Sequence, residues 1–76
     1  MPYSNFHACR IHDPGQYDRI KTARGSVRGK AVNILIGYKG GKTEVQSFHY
    51  DVKRWTEEQA SSHCRSHNGT FHKGGE

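Results

Sequence analysis

Two cysteines stand near opposite ends of the chain, and each has histidines beside it in the sequence. Cys9 follows His7 by two positions, whereas Cys64 lies between His63 and His67. Thiolate and imidazole groups are the ligands that a structural Zn²⁺ takes in tetrahedral geometry. These residues therefore predict a structural zinc site. Its ligands would be Cys9, Cys64, His67 and His7, with His63 as the substitute for His7.

Two other states of the cysteines stay open from the sequence. Cys9 and Cys64 could form a disulfide, or they could be buried thiols that act as small hydrophobic residues. The ligand pairs are His-x-Cys and Cys-x-x-His at the two ends of the chain, which is not the spacing of a standard zinc finger. We expect the two sulfurs to approach each other and attach the N-terminal segment to the last turns of a helix.

The middle of the chain predicts an antiparallel β-hairpin formed by residues 31–38 and 43–50. Residues 31–38 are rich in β-branched side chains, and the Gly40-Gly41 pair supplies the positive-φ positions of a tight turn. The resulting register places Ile36 opposite Val45 and alternates the side chains between two faces. One face would carry Val32, Ile34, Ile36, Tyr38 and Val45, and the other Leu35, Phe48 and Tyr50.

The segments before this hairpin have weaker patterns. Residues 1–12 favour an extended segment, and Asp13-Pro14-Gly15 favours a turn that ends it. Residues 17–23 fit a short strand and a single helical turn equally well. Residues 24–30 contain two glycines among basic residues and predict a mobile basic loop.

A helix is predicted from about Glu57 to His67. Thr56 is a typical N-cap residue, and Gln59 completes a capping box with it. Asn68-Gly69 supplies a left-handed stop. One stripe of the helix, at positions i, i+3, i+4 and i+7, carries Ala60, His63, Cys64 and His67.

The predicted fold class is α+β, in a single domain that spans residues 1–76. It combines an N-terminal extended segment, the hairpin and the C-terminal helix, and residues 72–76 are predicted to form a disordered tail. A domain of this size buries only about 60% of its unfolded surface, so its stability margin is thin. A bound metal or a covalent cross-link would therefore stabilise it.

The charge balance favours an anionic partner. The chain contains twelve Lys and Arg residues and seven Asp and Glu residues, which gives a formal net charge of +5. Such an excess favours nucleic acid first and a membrane surface second, and it equally fits a charge that serves only the solubility of a small domain. No stretch approaches the roughly 20 apolar residues of a membrane span, and a cytoplasmic protein is predicted. The expected nucleic-acid contacts are Arg19, Lys21, Arg24, Arg28, Lys30, Lys39 and Lys42.

No pattern in the sequence requires an enzyme. A thiolate at Cys64 would need a base and an orienting group that converge on it in a pocket, and a chain of 76 residues has little volume for one. We therefore expect no catalytic residue and no small-molecule substrate. The alternative to nucleic-acid binding is a protein-interaction adaptor or inhibitor of a host or phage protein, which would use the apolar face formed by Leu35, Phe48 and Tyr50.

Three stretches of the sequence resemble a family of small phage and prophage proteins. They are MPYSNFHACRIHDP at residues 1–14, IGYKGG at 36–41 with VQSF at 45–48, and WTEEQASSHCRSHNGTF at 55–71. The resemblance covers nearly the whole chain, and the last stretch is its most specific part. Such proteins occur alone or as modules attached to larger phage proteins, which implies a phage setting and an accessory binding role. The matching positions are His7, Cys9, Trp55, His63, Cys64, His67 and Gly69.

Overall fold

The architecture comes from a computed structural model that describes residues 5–74. It consists of one antiparallel sheet and a helix packed on one face of it, which confirms the predicted α+β class. The helix, α1, spans Glu57–Ser66. The strands in chain order are β1 Phe6–Arg10, β2 Arg19–Val27, β3 Lys30–Lys39, β4 Lys42–Asp51 and β5 Thr70–His72.

The order of the strands across the sheet is β2-β3-β4-β1-β5. The N-terminal strand is therefore an inner strand, hydrogen-bonded to β4 on one side and to β5 on the other. The chain between β1 and β2 must cross β4 and β3 to reach the outer edge of the sheet. It is attached at both ends by backbone bonds of 2.8 Å, from Ile11 N–H to the Gln46 carbonyl and from Asp18 N–H to the Tyr38 carbonyl.

The predicted hairpin forms as β3 and β4, but its register changes halfway along. Gly40 and Gly41 have φ of 56° and 80°, as the tight turn requires, and Ile36 lies opposite Val45 as expected. Beyond that pair an extra residue in β4 forms a β-bulge, so Ile34 pairs with Phe48 instead of Ser47. A one-residue shift moves every following side chain to the opposite face.

The bulge changes which residues form the core. Phe48 is 6% exposed and Tyr50 is fully buried, and both join Val32 beneath α1. The prediction that Phe48 and Tyr50 share a second apolar face with Leu35 is therefore wrong. The extra residue turns the two aromatic rings to the helix side of the sheet, while Leu35 stays on the other side.

The predicted basic loop at residues 24–30 is also wrong, because this segment forms a second hairpin. Arg24 to Val27 continue β2, and Lys30 begins β3. The turn between them consists of Arg28 with φ of 53° and Gly29 with φ of 80°. A positive φ is uncommon for arginine, so Gly29 is the one of these two residues whose type indicates such a turn.

The helix begins and ends where the sequence predicts. Thr56 Oγ1 accepts a hydrogen bond from Gln59 N–H, and Gln59 Oε1 accepts one from Thr56 N–H, both at 3.1 Å. Asn68 adopts φ of 59° just after the last turn. Gly69 N–H then donates to the Cys64 carbonyl at 3.0 Å and closes the helix.

The last residues reach further into the fold than expected. His72 ends β5, and buried Gly74 donates its N–H to His7 Nδ1 at 3.0 Å. Residues 72–74 of the predicted disordered tail are therefore held by the sheet and by this bond. Residues 75 and 76 lie outside the described residues. Within residues 5–74, no helix has the length and apolar character needed to cross a membrane.

Candidate functional site

The two cysteines meet and form a disulfide between β1 and α1. Their Cα atoms are 5.5 Å apart, and both side chains are fully buried. The prediction that the sulfurs approach each other and attach the first strand to the helix is confirmed. Of the three states that the sequence left open, the structure contains the disulfide.

The histidines beside the cysteines have other partners in this state. His7 Nδ1 accepts the bond from Gly74, and His63 Nδ1 shares a hydrogen bond of 2.7 Å with the Tyr50 hydroxyl. The His67 ring lies 5.1 Å from the ring of Phe48 and 4.6 Å from that of His63. Within residues 5–74, no three His, Cys, Asp or Glu side chains are grouped to hold a metal ion.

A disulfide and a zinc site that uses both sulfurs exclude each other, because zinc binds the thiolate form. The predicted ligand set of Cys9, Cys64, His67 and His7, with His63 as its substitute, therefore applies to the reduced chain. For that form, zinc binding stays a prediction.

The predicted nucleic-acid contacts divide into separate groups. Four of them surround the β3–β4 turn, and we call these the turn cluster: Arg19, Lys21, Lys39 and Lys42. The Arg19 guanidinium lies 4.8 Å and the Lys21 ammonium 5.8 Å from the centre of the Tyr38 ring, while Lys39 and Lys42 are directly opposite each other. Such cation–π contacts hold the two long side chains beside the ring.

Arg28 and Lys30 lie at the other end of β3, next to the helix. The Lys30 ammonium is 5.4 Å from the Trp55 ring centre. Both residues line a depression of about 400 Å³ together with Trp55 and His63. Burial first, and then the charges of His67 and Arg28, lower the pKa of His63, so its ring is uncharged at neutral pH.

The face of the sheet opposite α1 is crossed by the β1–β2 connection, which contains a 3-10 helix at Pro14–Gln16, and we call this face the open face. The strand registers place on it side chains from four adjacent strands: Arg24 from β2, Asn33 and Leu35 from β3, Ser47 and His49 from β4, and Ala8 and Arg10 from β1. Of the predicted nucleic-acid contacts, Arg24 lies on this face, and the register also places Lys39 and Lys42 on it, beside the β3–β4 turn. The sheet separates these three residues from the helix and the disulfide.

The open face contains a concave depression of about 840 Å³, which we call the cup. Buried Ala8 and Ser47 with half-buried Leu35 and His49 form its floor, and exposed residues surround them. The exposed lining residues are Arg10, Pro14, Ile20, His72 and Lys73. The volume falls within the range of about 300–1,000 Å³ that is typical of ligand sites.

One wall of the cup is the connection between β1 and β2. The Tyr17 ring packs directly on Gly37, where a β-carbon would overlap it, and its hydroxyl donates to Glu44 Oε2 at 2.6 Å. Desolvation, the bond to Glu44 and the negative charge of Glu44 raise the pKa of Tyr17 to about 12. Further along, the Gln46 side-chain amide donates to the His12 carbonyl at 2.9 Å. These contacts fix the connection against the sheet.

Two imidazoles contribute to the cup in different ways. His49 lies in the floor, where burial lowers its pKa, so it is neutral at neutral pH and presents a flat ring. Its ring centre is 6.1 Å from that of Phe6, which extends the aromatic surface beyond the cup. His72 is exposed at the margin.

Sequence reasoning missed most of the residues that line the cup. The alternation of β1 could have revealed Arg10, because it must point away from the face that carries Cys9. Nothing in the sequence marked Pro14 and Ile20 as wall residues, since their position depends on where the β1–β2 connection crosses the sheet.

No protein-family model, no curated protein and no solved structure matches this chain. The resemblance to small phage proteins therefore stays a prediction from the sequence, and the candidate site is defined by its own geometry.

Proposed function

We propose that the chain is a small nucleic-acid-binding accessory module that performs no catalysis. The observation that carries the proposal is the distribution of positive charge: exposed cations lie on the open face and at both ends of the β3 strand, on a chain with a net charge of +5. A polyanion is the partner that such a surface attracts most strongly, because each phosphate contact also releases a counterion.

The predicted contacts Arg19, Lys21, Arg24, Arg28, Lys30, Lys39 and Lys42 supply much of this charge. Binding through such separated groups is weak, tolerant of sequence and steeply dependent on salt. The non-enzymatic part of the proposal is supported by the disulfide, because both cysteines of the chain are joined to each other. A disulfide-bonded sulfur is not a thiolate nucleophile.

A phage or prophage accessory role in the cytoplasm of a host cell is the setting that we propose, and it rests on the sequence resemblance and composition alone. A reducing cytoplasm keeps most thiols free. In that setting the disulfide would be reduced, unless its burial protects it from reductants. The zinc prediction applies to the reduced chain.

The alternative function is a protein-interaction adaptor or inhibitor. It was based on three apolar residues, and two of them are not available on the surface. Phe48 and Tyr50 are buried under α1, so they offer no surface to a partner. Leu35 remains, half-buried on the open face beside exposed Ile20. A surface with so few apolar side chains gives this alternative less support than the charge gives to nucleic-acid binding.

A titration with labelled nucleic acid tests the proposed function. Fluorescence anisotropy is measured with a single-stranded and a double-stranded oligonucleotide in dilute salt, roughly 50 mM NaCl, and again at roughly 200 mM. We expect binding in dilute salt that weakens steeply at the higher concentration. No binding to either probe in dilute salt would refute the function. An affinity that does not change with salt concentration would refute its electrostatic basis.

A further inference from the structure

We propose that the cup on the open face binds single-stranded nucleic acid, with unpaired bases on its floor and phosphates at its margin. The inference rests on the nucleic-acid binding proposed above and assigns it to residues that the sequence did not select. It starts from the electrostatic character of the cup. The lining contains the cations Arg10 and Lys73 and no carboxylate, so its charge is complementary to a polyanion.

The nearby carboxylates have cationic or hydrogen-bonding partners of their own. Glu44 accepts the bond from Tyr17 and lies 3.7 Å from His12 Nε2. Asp51 lies further along the face, 4.0 Å from Arg54 Nε. Glu57, on the helix, pairs with Lys73 at 3.4 Å, but both side chains are more than half exposed. An exposed ion pair of this kind is weak, so a phosphate can compete with Glu57 for the Lys73 ammonium.

The floor of the cup favours unpaired bases over a duplex. Its centre is formed by small or apolar side chains, Ala8 and Leu35, next to the uncharged His49 ring. The flat faces of unpaired bases gain from contact with such a surface, whereas a duplex keeps those faces stacked inside and presents phosphates outwards. Duplex DNA would therefore use the cations at the margin and leave the floor empty.

The open face also offers a continuation for the strand beyond the cup. The Phe6 ring centre lies 6.1 Å from that of His49, and a second depression next to it is lined by Phe6, by the cations Arg24 and Arg54, and by Asp51, whose carboxylate pairs with Arg54. Rings and cations therefore follow one another from Lys73 after β5 to Arg24 on β2. Binding sites for single-stranded nucleic acid combine aromatic rings with cations in this way.

The test compares two double variants that remove the same charge from different places. Arg10→Gln with Lys73→Gln changes the cup, and the control, Lys53→Gln with Arg65→Gln, removes two cations that belong neither to the cup nor to the predicted contacts. All four positions are exposed, and a urea unfolding curve confirms that each variant is folded. The probes are a labelled deoxythymidine dodecamer, the corresponding adenine–thymine duplex, an abasic dodecamer and a polyglutamate peptide of equal charge.

The cup variant should weaken binding of the deoxythymidine strand by about tenfold in dilute salt and lower the salt slope by about two. The control variant should change it less than about threefold, since Lys53 and Arg65 contribute only long-range attraction. The unmodified protein should prefer the deoxythymidine strand to the abasic strand by about tenfold, because stacking requires bases.

The alternative results separate this inference from the proposed function. If neither the single strand nor the duplex binds, both fail. If the duplex binds as tightly as the single strand, or the control variant loses as much affinity as the cup variant, the function stands and the cup is overturned. Equal affinity for the polyglutamate peptide, or for the abasic strand, would show a general anion site and would also overturn it.

Discussion

The Tyr50 hydroxyl and Nδ1 of His63 share a hydrogen bond of 2.7 Å between β4 and α1. Both groups belong to the layer of rings that holds the helix on the sheet: the Tyr50 ring lies 4.8 Å from Trp55, and His63 packs edge-on against Phe48 at 4.9 Å. Burial raises the pKa of Tyr50 and lowers the pKa of His63. The folded state therefore favours the neutral form of each residue.

Acid should destabilise the fold through these histidines. The pKa of His63 and that of His49 are lower in the folded chain than the ordinary value of about 6.5, so the unfolded chain binds more protons in this window. Their stabilising effect is complete above about pH 6.5 and is lost as the pH falls through the folded pKa values. The urea midpoint should be lower at about pH 5.5 than at about pH 7.5.

The substitution His63→Asn tests the share of His63 in this effect. The asparagine amide can keep a hydrogen bond to Tyr50 but does not titrate, so the variant should show a smaller difference between the two pH values. His72→Asn, at an exposed position, is the matched control and should leave the difference nearly unchanged. An equal pH dependence in the His63 variant and the native chain would contradict the assignment.

Opening the Cys9–Cys64 disulfide should cost about 4 kcal/mol of unfolding free energy in the chain-entropy account, because the bond closes a loop with a sequence separation of 55 residues. Urea unfolding with and without a thiol reductant measures this loss. The double variant Cys9→Ala with Cys64→Ala should start at the lower stability and show no response to the reductant. Two reactive thiols per chain in the unreduced, denatured protein would contradict the disulfide.

The reduced chain should bind one Zn²⁺ if the ligand set predicted from the sequence is right. Thiolates and imidazoles at Cys9, Cys64, His67 and His7 would have to rearrange around the ion, and binding would restore part of the stability lost on reduction. Metal analysis of reduced protein after desalting gives the stoichiometry. His67→Ala should weaken zinc retention, whereas His72→Ala should not. Reduced protein that retains no zinc would refute the site.

Gly69→Ala should destabilise the fold by about 2 kcal/mol, as overpacking of a close contact does. A β-carbon at position 69 would overlap Cys9 Sγ and lie 2.8 Å from Ile11 Cδ1 and 3.0 Å from the Arg10 carbonyl oxygen. Gly15→Ala is the matched control, since its nearest neighbour would be Asp13 Oδ1 at 3.4 Å, an ordinary contact. The midpoint temperatures of thermal unfolding are measured for both variants. Equal midpoints would contradict the packing of Gly69 on the disulfide.

Local signals decided the parts of the fold that the sequence predicted correctly. The capping box of Thr56 with Gln59 and the Gly40-Gly41 turn depend on residues within four positions of each other, and both form as expected. In the predicted stripe, Ala60, His63 and Cys64 turn inward as their spacing indicates, whereas His67 at the end of the helix is exposed. Hydrogen bonds and φ preferences of this kind are satisfied within a few residues, so they can be seen without the rest of the chain.

The tertiary structure decided what depends on contacts between distant segments. The bulge in β4 carries Phe48 and Tyr50 to the helix side, and only the packing of β1 and α1 against β4 selects that register over the regular one. The cup exists because β1 lies inside the sheet and its connection to β2 must cross the open face, where Tyr17 packs on Gly37. The sequence by itself supplied the cations and the two sulfurs. Which cations share a face, and that the sulfurs bond to each other, follow from strand order, which no local pattern specifies.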